Sequence, residues 1–323
     1  MPPPGPAFLL HGLDPEMLRD AIRESRVEPC LLSATVSVSS LARLQCPSVA
    51  LDFASLGPSL HFSGQMAEQC YTIIFVLDCP TPGHSLNFET EHTDGYIGFF
   101  PPGSLLDAAT PSGYRNATLT IPADLFLAAV ARQCPDLPES IFTRGAGMRV
   151  GPRAQARLRH QLATVKHALA RDISSFSSRA ALQLIERELL DVFLTALRDG
   201  CDDLVPPPPP RTGGRLRRMR QAREFITAHL HRPIYLDDLC AELGLTPRAV
   251  ENLFRDLLGV SPITYLRHRR LHGARHALQR SSPRPGAVKQ VALEWGHWHL
   301  GRFARDYRTL FGESPSETIA QHS

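Results

Sequence analysis

Two stretches near the C-terminal end of the sequence read LFRDLLGVSP (residues 253–262) and DYRTLFGESP (residues 306–315). Arg255 aligns with Arg308, Leu257 with Leu310, and Gly259-x-Ser261-Pro262 with Gly312-x-Ser314-Pro315. The correspondence continues upstream, where LCAELG at 239–244 meets VALEWG at 291–296. A repeat of this kind signals one structural unit built twice. In each copy a short apolar helix ends at a glycine and a second apolar-periodic helix follows, which is the outline of a helix-turn-helix.

Working outward from the repeat, residues 215–323 read as wholly helical. A first helix covers 215–229 and a second 236–243, the latter with Asp237 and Asp238 in the first turn, where the helix dipole favours acids. Thr246-Pro247 supplies an N-cap and a proline at the first position of a third helix. Ser261-Pro262 does the same for a fourth, which runs to about residue 280. A fifth helix covers 287–295 and a sixth runs from about Trp298 to Phe311. Ser314-x-x-Glu317 is a capping box that opens a final short helix.

The third and sixth of these helices each have two faces. In the first unit Val250, Phe254 and Leu257 point inward by spacing, leaving Arg248, Glu251, Asn252 and Arg255 outward. In the second, Phe303, Tyr307 and Leu310 point inward, with Gly301, Arg302, Ala304, Arg305 and Arg308 outward or flanking. Arginine can grip guanine through two hydrogen bonds, asparagine can pair with adenine, and glutamate can accept from cytosine. Small residues such as Gly301 and Ala304 let a helix backbone come close to the major groove. The fourth helix, at 1.5 Å per residue, spans on the order of 28 Å. Successive major-groove faces on one side of DNA lie about 34 Å apart, so this helix has the length to set two reading helices in adjacent turns.

Charge follows the same division. The net charge is +3 over 323 residues, but from residue 213 onward 18 Lys and Arg stand against 10 Asp and Glu, giving +8. Residues 1–212 carry −5. A basic balance confined to one part of a chain points to a polyanion partner for that part.

These residues resemble the DNA-binding domain of AraC/XylS-family transcriptional regulators, the most specific part being 291–296 through 303–316. The family usually has an aromatic residue after the glycine where this chain has His297, so different local packing is expected there. Carried over by position, the resemblance implies base contacts from Arg248, Glu251 and Asn252 in the first unit and from Gly301, Ala304 and Arg305 in the second. Thr246, Arg255, Arg267, Arg269, Arg270, Arg275, His299, Arg302 and Arg308 are the backbone-contacting or flanking candidates. It further implies double-stranded DNA, RNA polymerase and a small-molecule effector of unknown identity as partners, with a homodimer as one assembly. An N-terminal module, often cupin-like, would sense the effector or mediate dimerisation.

The N-terminal sequence is compatible with such a module. Residues 1–150 carry short apolar runs such as 71–77 and 96–100, bounded by turn signals at 80–83, 94–95 and 101–103, which is the patterning of an antiparallel sandwich or barrel. Short helices are expected at 18–27 and 123–133. Between 153 and 199 the period becomes helical, with Leu158, Leu162, Val165 and Leu169 on one segment and Leu182, Ile185, Leu189, Val192 and Ala196 on the next. Such a hairpin, at 151–203, caps the sheet or forms a dimer seam. Five prolines at 206–210 followed by Gly213-Gly214 predict a linker over 204–214. The expected fold class is therefore α+β: a β-rich cupin-like domain with a helical hairpin, then an all-α domain holding two helix-turn-helix units at 215–323.

Other classes are weighed against this one. No stretch reaches the roughly 18–20 apolar residues of a membrane span, and the N-terminus lacks a basic segment followed by an apolar one, which predicts a cytoplasmic protein. Seven dispersed cysteines without a CxxC pair predict reduced, mostly buried thiols rather than disulfides or zinc. His84, Glu89, Glu91 and His92 lack the HxH spacing of cupin metal sites and read as surface turn residues, so no metal, cofactor or catalytic residue is assigned. A barrel interior suits a small organic effector. The alternative is an enzyme or DNA-repair protein whose catalytic N-terminal barrel is targeted by the helical domain; a third reading makes that domain a protein-binding bundle. Neither a clustered-cysteine methyl acceptor nor a nucleophile-base arrangement is present to support the enzyme, and the exposed arginines oppose the bundle.

Overall fold

A computed structural model describes residues 6–22, 25–34, 38–81, 83–85, 90–137, 139–172, 176–199 and 214–321. The chain forms two compact units. The first is built from β1 (Ala7–Leu13), α1 (Pro15–Ala21), β2 (Arg26–Leu31), β3 (Ser39–Gln45), β4 (Ala50–Leu56), β5 (Leu60–Gln65), β6 (Cys70–Asp78), β7 (Gly83–Ser85), β8 (Thr90–His92), β9 (Tyr96–Phe100), β10 (Leu105–Thr110), β11 (Tyr114–Pro122), α2 (Ala123–Gln133), α3 (Glu139–Arg144), β12 (Ala146–Arg149), α4 (Pro152–Arg171) and α5 (Arg179–Asp199). The second contains α6 (Gly214–Ala228), α7 (Leu236–Leu243), α8 (Pro247–Leu258), α9 (Pro262–Gln279), α10 (Ala287–Glu294), α11 (Leu300–Phe311) and α12 (Pro315–Gln321).

In the first unit the strands form two sheets, one of seven strands in the order β1-β3-β4-β11-β6-β9-β12 and one of five in the order β2-β5-β10-β7-β8. Every pairing in the larger sheet is antiparallel. Side chains alternate across a strand, and here the two faces have different chemistry. One face carries Leu51, Phe53, Tyr71, Ile73, Phe75, Ile97, Phe99, Leu119 and Ile121, which form one core with residues of α2, α4 and α5. Burying each such side chain contributes roughly 1.5–3 kcal/mol. The opposite face carries smaller and more polar groups, including Ala50, Asp52, Thr72, Gly98, Asn116 and Thr118, and these line a cavity.

The helical hairpin packs as a cap on this core: Leu158, Leu162, Val165 and Leu169 of α4 and Leu182, Leu189, Val192 and Ala196 of α5 are buried, with Ile185 partly so. Pro152 opens α4 and Ser178 Oγ accepts the Ala181 amide of α5 at 3.4 Å. The expected linker at 204–214 lies almost wholly outside the described residues.

The helix expected at 18–27 is displaced. It starts at Pro15, where Asp14 Oδ1 accepts the Met17 amide at 2.8 Å, and ends at Ala21. Residues from Arg26 on extend as β2 instead. Helix α2 occupies the expected span, and α3 is additional. His92 is a second correction, being buried rather than a surface turn residue, with its ring 4.7 Å from that of Tyr96. Glu91 is exposed, while the side chains of His84 and Glu89 lie outside the described residues. Cys30, Cys46, Cys70 and Cys134 are buried free thiols, Cys79 and Cys240 are half-buried, and Cys201 lies outside the described residues. Among the described residues no helix is long and apolar enough to cross a membrane.

Candidate nucleic-acid interface

Local chemistry sets the helices of the second unit. Asp238 Oδ2 accepts the Tyr235 amide at 2.8 Å to start α7. Thr246 Oγ1 accepts the Ala249 amide at 3.3 Å to start α8, and Ser261 Oγ accepts the Thr264 amide at 3.2 Å to start α9. Ser314 and Glu317 bond reciprocally at the start of α12, at 2.6 and 3.3 Å. The repeated glycines have a matching conformational reason: Gly259 and Gly312 follow α8 and α11 at φ 71° and 79°, the left-handed region that a side chain disfavours.

Helix α8 follows α7 as the second helix of one helix-turn-helix, and α11 follows α10 as the second of another. The α9 connector has 18 residues, or about 27 Å. In α11 the inward set is Phe303, Tyr307 and Leu310, all buried. In α8 Val250 and Phe254 are buried as expected, but Leu257 is only half-buried, and Leu253 and Leu258 complete the inward face.

The outward residues differ in how strongly they are engaged. Arg248, Asn252 and Arg255 are exposed on α8. Glu251 is half-buried and pairs with Arg255 at 3.2 Å, an exposed pair of the kind worth about 0.3–0.5 kcal/mol. On α11, Gly301, Arg302, Ala304, Arg305 and Arg308 are exposed. Arg302 lies 3.6 Å from Asp306, and Arg308 lies 3.7 Å from Glu317. Among the described residues Arg248 and Arg305 have no acidic partner. A Cβ on Gly301 would meet nothing within 4 Å, so the fold itself does not require a glycine there.

Two of the flanking candidates are corrected. Arg275 is only 5% exposed, ion-paired with Glu313 at 3.0 Å and placed over the Phe311 ring at 5.1 Å. It joins α9 to the end of α11 and is not available to a phosphate. Arg270 Nε donates to Leu230 O at 2.9 Å and its Nη2 to Arg232 O, and burial lowers its pKa from the ordinary value. It holds the turn after α6. Arg267 is half-buried and reaches Asp306 at 3.6 Å, and Arg269 is half-buried. Thr246 and His299 are exposed at the positions preceding α8 and α11.

The second reading helix begins later than the sequence suggests, at Leu300 rather than near Trp298. Trp298 therefore sits in the turn ahead of it, 68% exposed. A large indole left in water beside the outward arginines is a functional candidate that helical periodicity had absorbed into the helix. His297 occupies the expected aromatic position by packing as an aromatic: its ring lies 4.9 Å from Phe303, and its amide donates to Ala292 O at 2.8 Å. Burial, with help from Arg270, lowers its pKa to about 4, so the ring is neutral at physiological pH.

The first unit offers a second site. The cavity beneath the larger sheet has a volume of about 270 Å³ and is lined by Leu18 of α1, by Ile22 just after it and by residues of both sheets.

Fold and exposed side chains together define the second unit as a double helix-turn-helix domain. Residues 239–321 match a family described as "Helix-turn-helix domain". The chain is 40% identical over 98 residues to the XylDLEGF operon transcriptional activator of Pseudomonas putida, a match covering 30% of each protein. It is also 40% identical over 100 residues to the XylDLEGF operon transcriptional activator 2 of Pseudomonas putida, covering 31% of this chain and 63% of that one. Among solved structures, a probable AraC family transcriptional regulator from Rhodopseudomonas palustris CGA009 is 37% identical, covering 33% of this chain and 97% of that one, with a TM-score of 0.31. The C-terminal part of this chain is thus a helix-turn-helix domain of the AraC/XylS type. The matched segment is less than a third of the length of the first of these relatives.

Proposed function

We propose that the protein is a sequence-specific transcriptional regulator that reads two adjacent major-groove segments with α8 and α11, under control of a small molecule bound in the strand unit. The observation that carries this reading is the pairing of two helices, each buried along one face and arginine-bearing along the other, at the ends of a connector about 27 Å long. Arg305 and Arg248, having no acidic partner among the described residues, are assigned to base edges together with Glu251, Asn252, Gly301 and Ala304. Arg255, Arg302 and Arg308 hold weak exposed ion pairs that a phosphate can replace, and with Thr246, Arg267, Arg269 and His299 they are assigned to the backbone and flanks.

The names of the relatives favour activation as the direction of control, and activation requires contact with RNA polymerase. A homodimer would double the number of half-sites read. The exposed Leu184 on α5 is one apolar side chain that a dimer seam along the hairpin would cover. None of the relatives named above is an enzyme, which weighs against the catalytic alternative.

The test is binding of the full-length protein to duplex DNA across salt. Neutralising several phosphates releases counterions, so the affinity is expected to fall roughly a thousandfold or more between about 50 and 200 mM salt. An affinity independent of salt, or no binding to duplex DNA, contradicts the reading.

A further inference from the structure

The lining of the cavity specifies what fits inside it, and the inference rests on the effector reading just given. Its volume, about 270 Å³, lies just under the roughly 300–1,000 Å³ of pockets for drug-sized ligands. The occupant is therefore small. Leu41, Leu56, Phe62, Ile74, Phe100 and Leu106 contribute apolar wall from both sheets. Water needs two to four polar partners at each position to be held in such a space, so much of this interior favours an apolar guest.

Charge in the lining is already compensated. Arg43 is 5% exposed; its Nε and Nη2 donate to the two carboxylate oxygens of Asp52 at 2.5 and 2.6 Å, Nη2 also donates to Ala21 O at 2.8 Å, and the guanidinium lies over the Phe8 ring at 5.6 Å. An anionic ligand would have to break this bidentate pair and leave Asp52 in a low-dielectric interior without its cation, which is strongly unfavourable. A cationic ligand would have to compete with Arg43 for the same carboxylate.

Among the described residues two buried polar atoms of the lining have no hydrogen-bond partner, Asn116 Oδ1 and His92 Nδ1; the first belongs to a side chain that is always neutral. Asn116 Nδ2 donates to Thr118 Oγ1 at 3.1 Å, while Asn116 Oδ1 is buried with no hydrogen-bond partner. A buried acceptor without a donor is costly, and a guest that supplies one gains that energy. A hydroxyl both donates and accepts, so it satisfies the amide in either orientation of its oxygen and nitrogen.

We propose that the effector is a small uncharged molecule, apolar over most of its surface, whose hydroxyl group bonds to Asn116 inside the strand unit. The test is isothermal titration calorimetry at neutral pH on the full-length protein with three probes that share one apolar frame: para-isopropylphenol, its methyl ether and para-isopropylbenzoate. The phenol is expected to bind about tenfold more tightly than either of the others, the factor that one buried hydrogen bond supplies. Asn116→Leu should bring phenol and ether within about twofold of each other, since the donor then has no acceptor. Ala108→Phe, which fills the cavity, should abolish binding of every probe; Ala54→Leu is the milder filler if the first variant does not fold. Tighter binding of the benzoate, or an unchanged phenol-to-ether ratio in Asn116→Leu, overturns the ligand class while leaving the site intact, provided the filling variants still lose binding. If no probe binds, or binding survives cavity filling, the effector site itself is misplaced.

Discussion

Gly273 in the middle of α9 lies directly against the indole of Trp295, so that a Cβ built at 273 would overlap the six-membered ring. The indole also packs against the His231 ring, the two centroids 4.3 Å apart. The connector helix and the turn ahead of α11 are thus fitted to each other through a residue that has no side chain, which fixes the second helix-turn-helix relative to α9.

Gly273→Ala is accordingly expected to destabilise the protein. Elsewhere in a helix this exchange gains up to about 1 kcal/mol, but overpacking a tight contact costs about 1–3 kcal/mol. Thermal unfolding should show a lower midpoint, and a raised one would mean that the indole moves aside freely.

Arg275 and Arg305 are both arginines of the second unit and are expected to respond in opposite ways. Removing Arg275 takes the cation from the half-buried Glu313, which keeps its bond from Thr318 Oγ1 at 2.8 Å, so Arg275→Ala should lower stability by about 1–3 kcal/mol. Arg305→Ala should leave stability within about 0.5 kcal/mol while weakening DNA binding by about 1–3 kcal/mol and relaxing preference at one base pair. Denaturant unfolding and binding to a panel of single-base variants separate the two. Equal weakening on all sequences would move Arg305 to the phosphate group.

Trp298 should matter for DNA and not for folding. Its exposed ring buries little in the protein, so Trp298→Ala is expected to keep the unfolding midpoint and reduce affinity for duplex DNA by about tenfold, or 1.4 kcal/mol. An unchanged affinity in a binding titration would return the residue to the ordinary surface.

His297 makes stability depend on pH in a defined window. Its pKa falls from the ordinary 6.5 to about 4 in the folded chain, chiefly through burial. Between those values the unfolded chain binds a proton that the folded one does not, so the contribution is complete above pH 6.5 and is lost as pH falls toward 4. His297→Phe, which keeps the ring packing on Phe303, should flatten this part of the curve of unfolding free energy against pH. A curve unchanged by the substitution would show that His297 titrates normally.

How far the sequence reaches depends on the range of the forces involved. The caps at Thr246, Ser261 and Ser314 are local hydrogen bonds, so the starts of α8, α9 and α12 are readable from a few letters. Arg275 is not, because its residue type predicts exposure and its partner Glu313 lies 38 positions away. The same holds for Arg270, whose acceptors belong to the turn after α6. In α8 the simple spacing chose Leu257, whereas packing selected Leu253 and Leu258, since the buried stripe is wider than one row. The cavity was hidden by the larger sheet itself. Both of its faces are covered, so the run at 71–77 reads as uniformly apolar, and only small or polar residues such as Ala54, Thr72, Gly98 and Asn116 distinguish the cavity face.

The paired-reader mechanism is tested most directly by selecting bound sequences from a random duplex library with the full-length protein at roughly physiological salt. The account predicts enriched sites made of two short elements whose centres lie about one helical turn, 10–10.5 base pairs, apart, with the element assigned to α11 losing definition in Arg305→Ala. Enrichment of a single element unaffected by that substitution, or of no element at all, would contradict it.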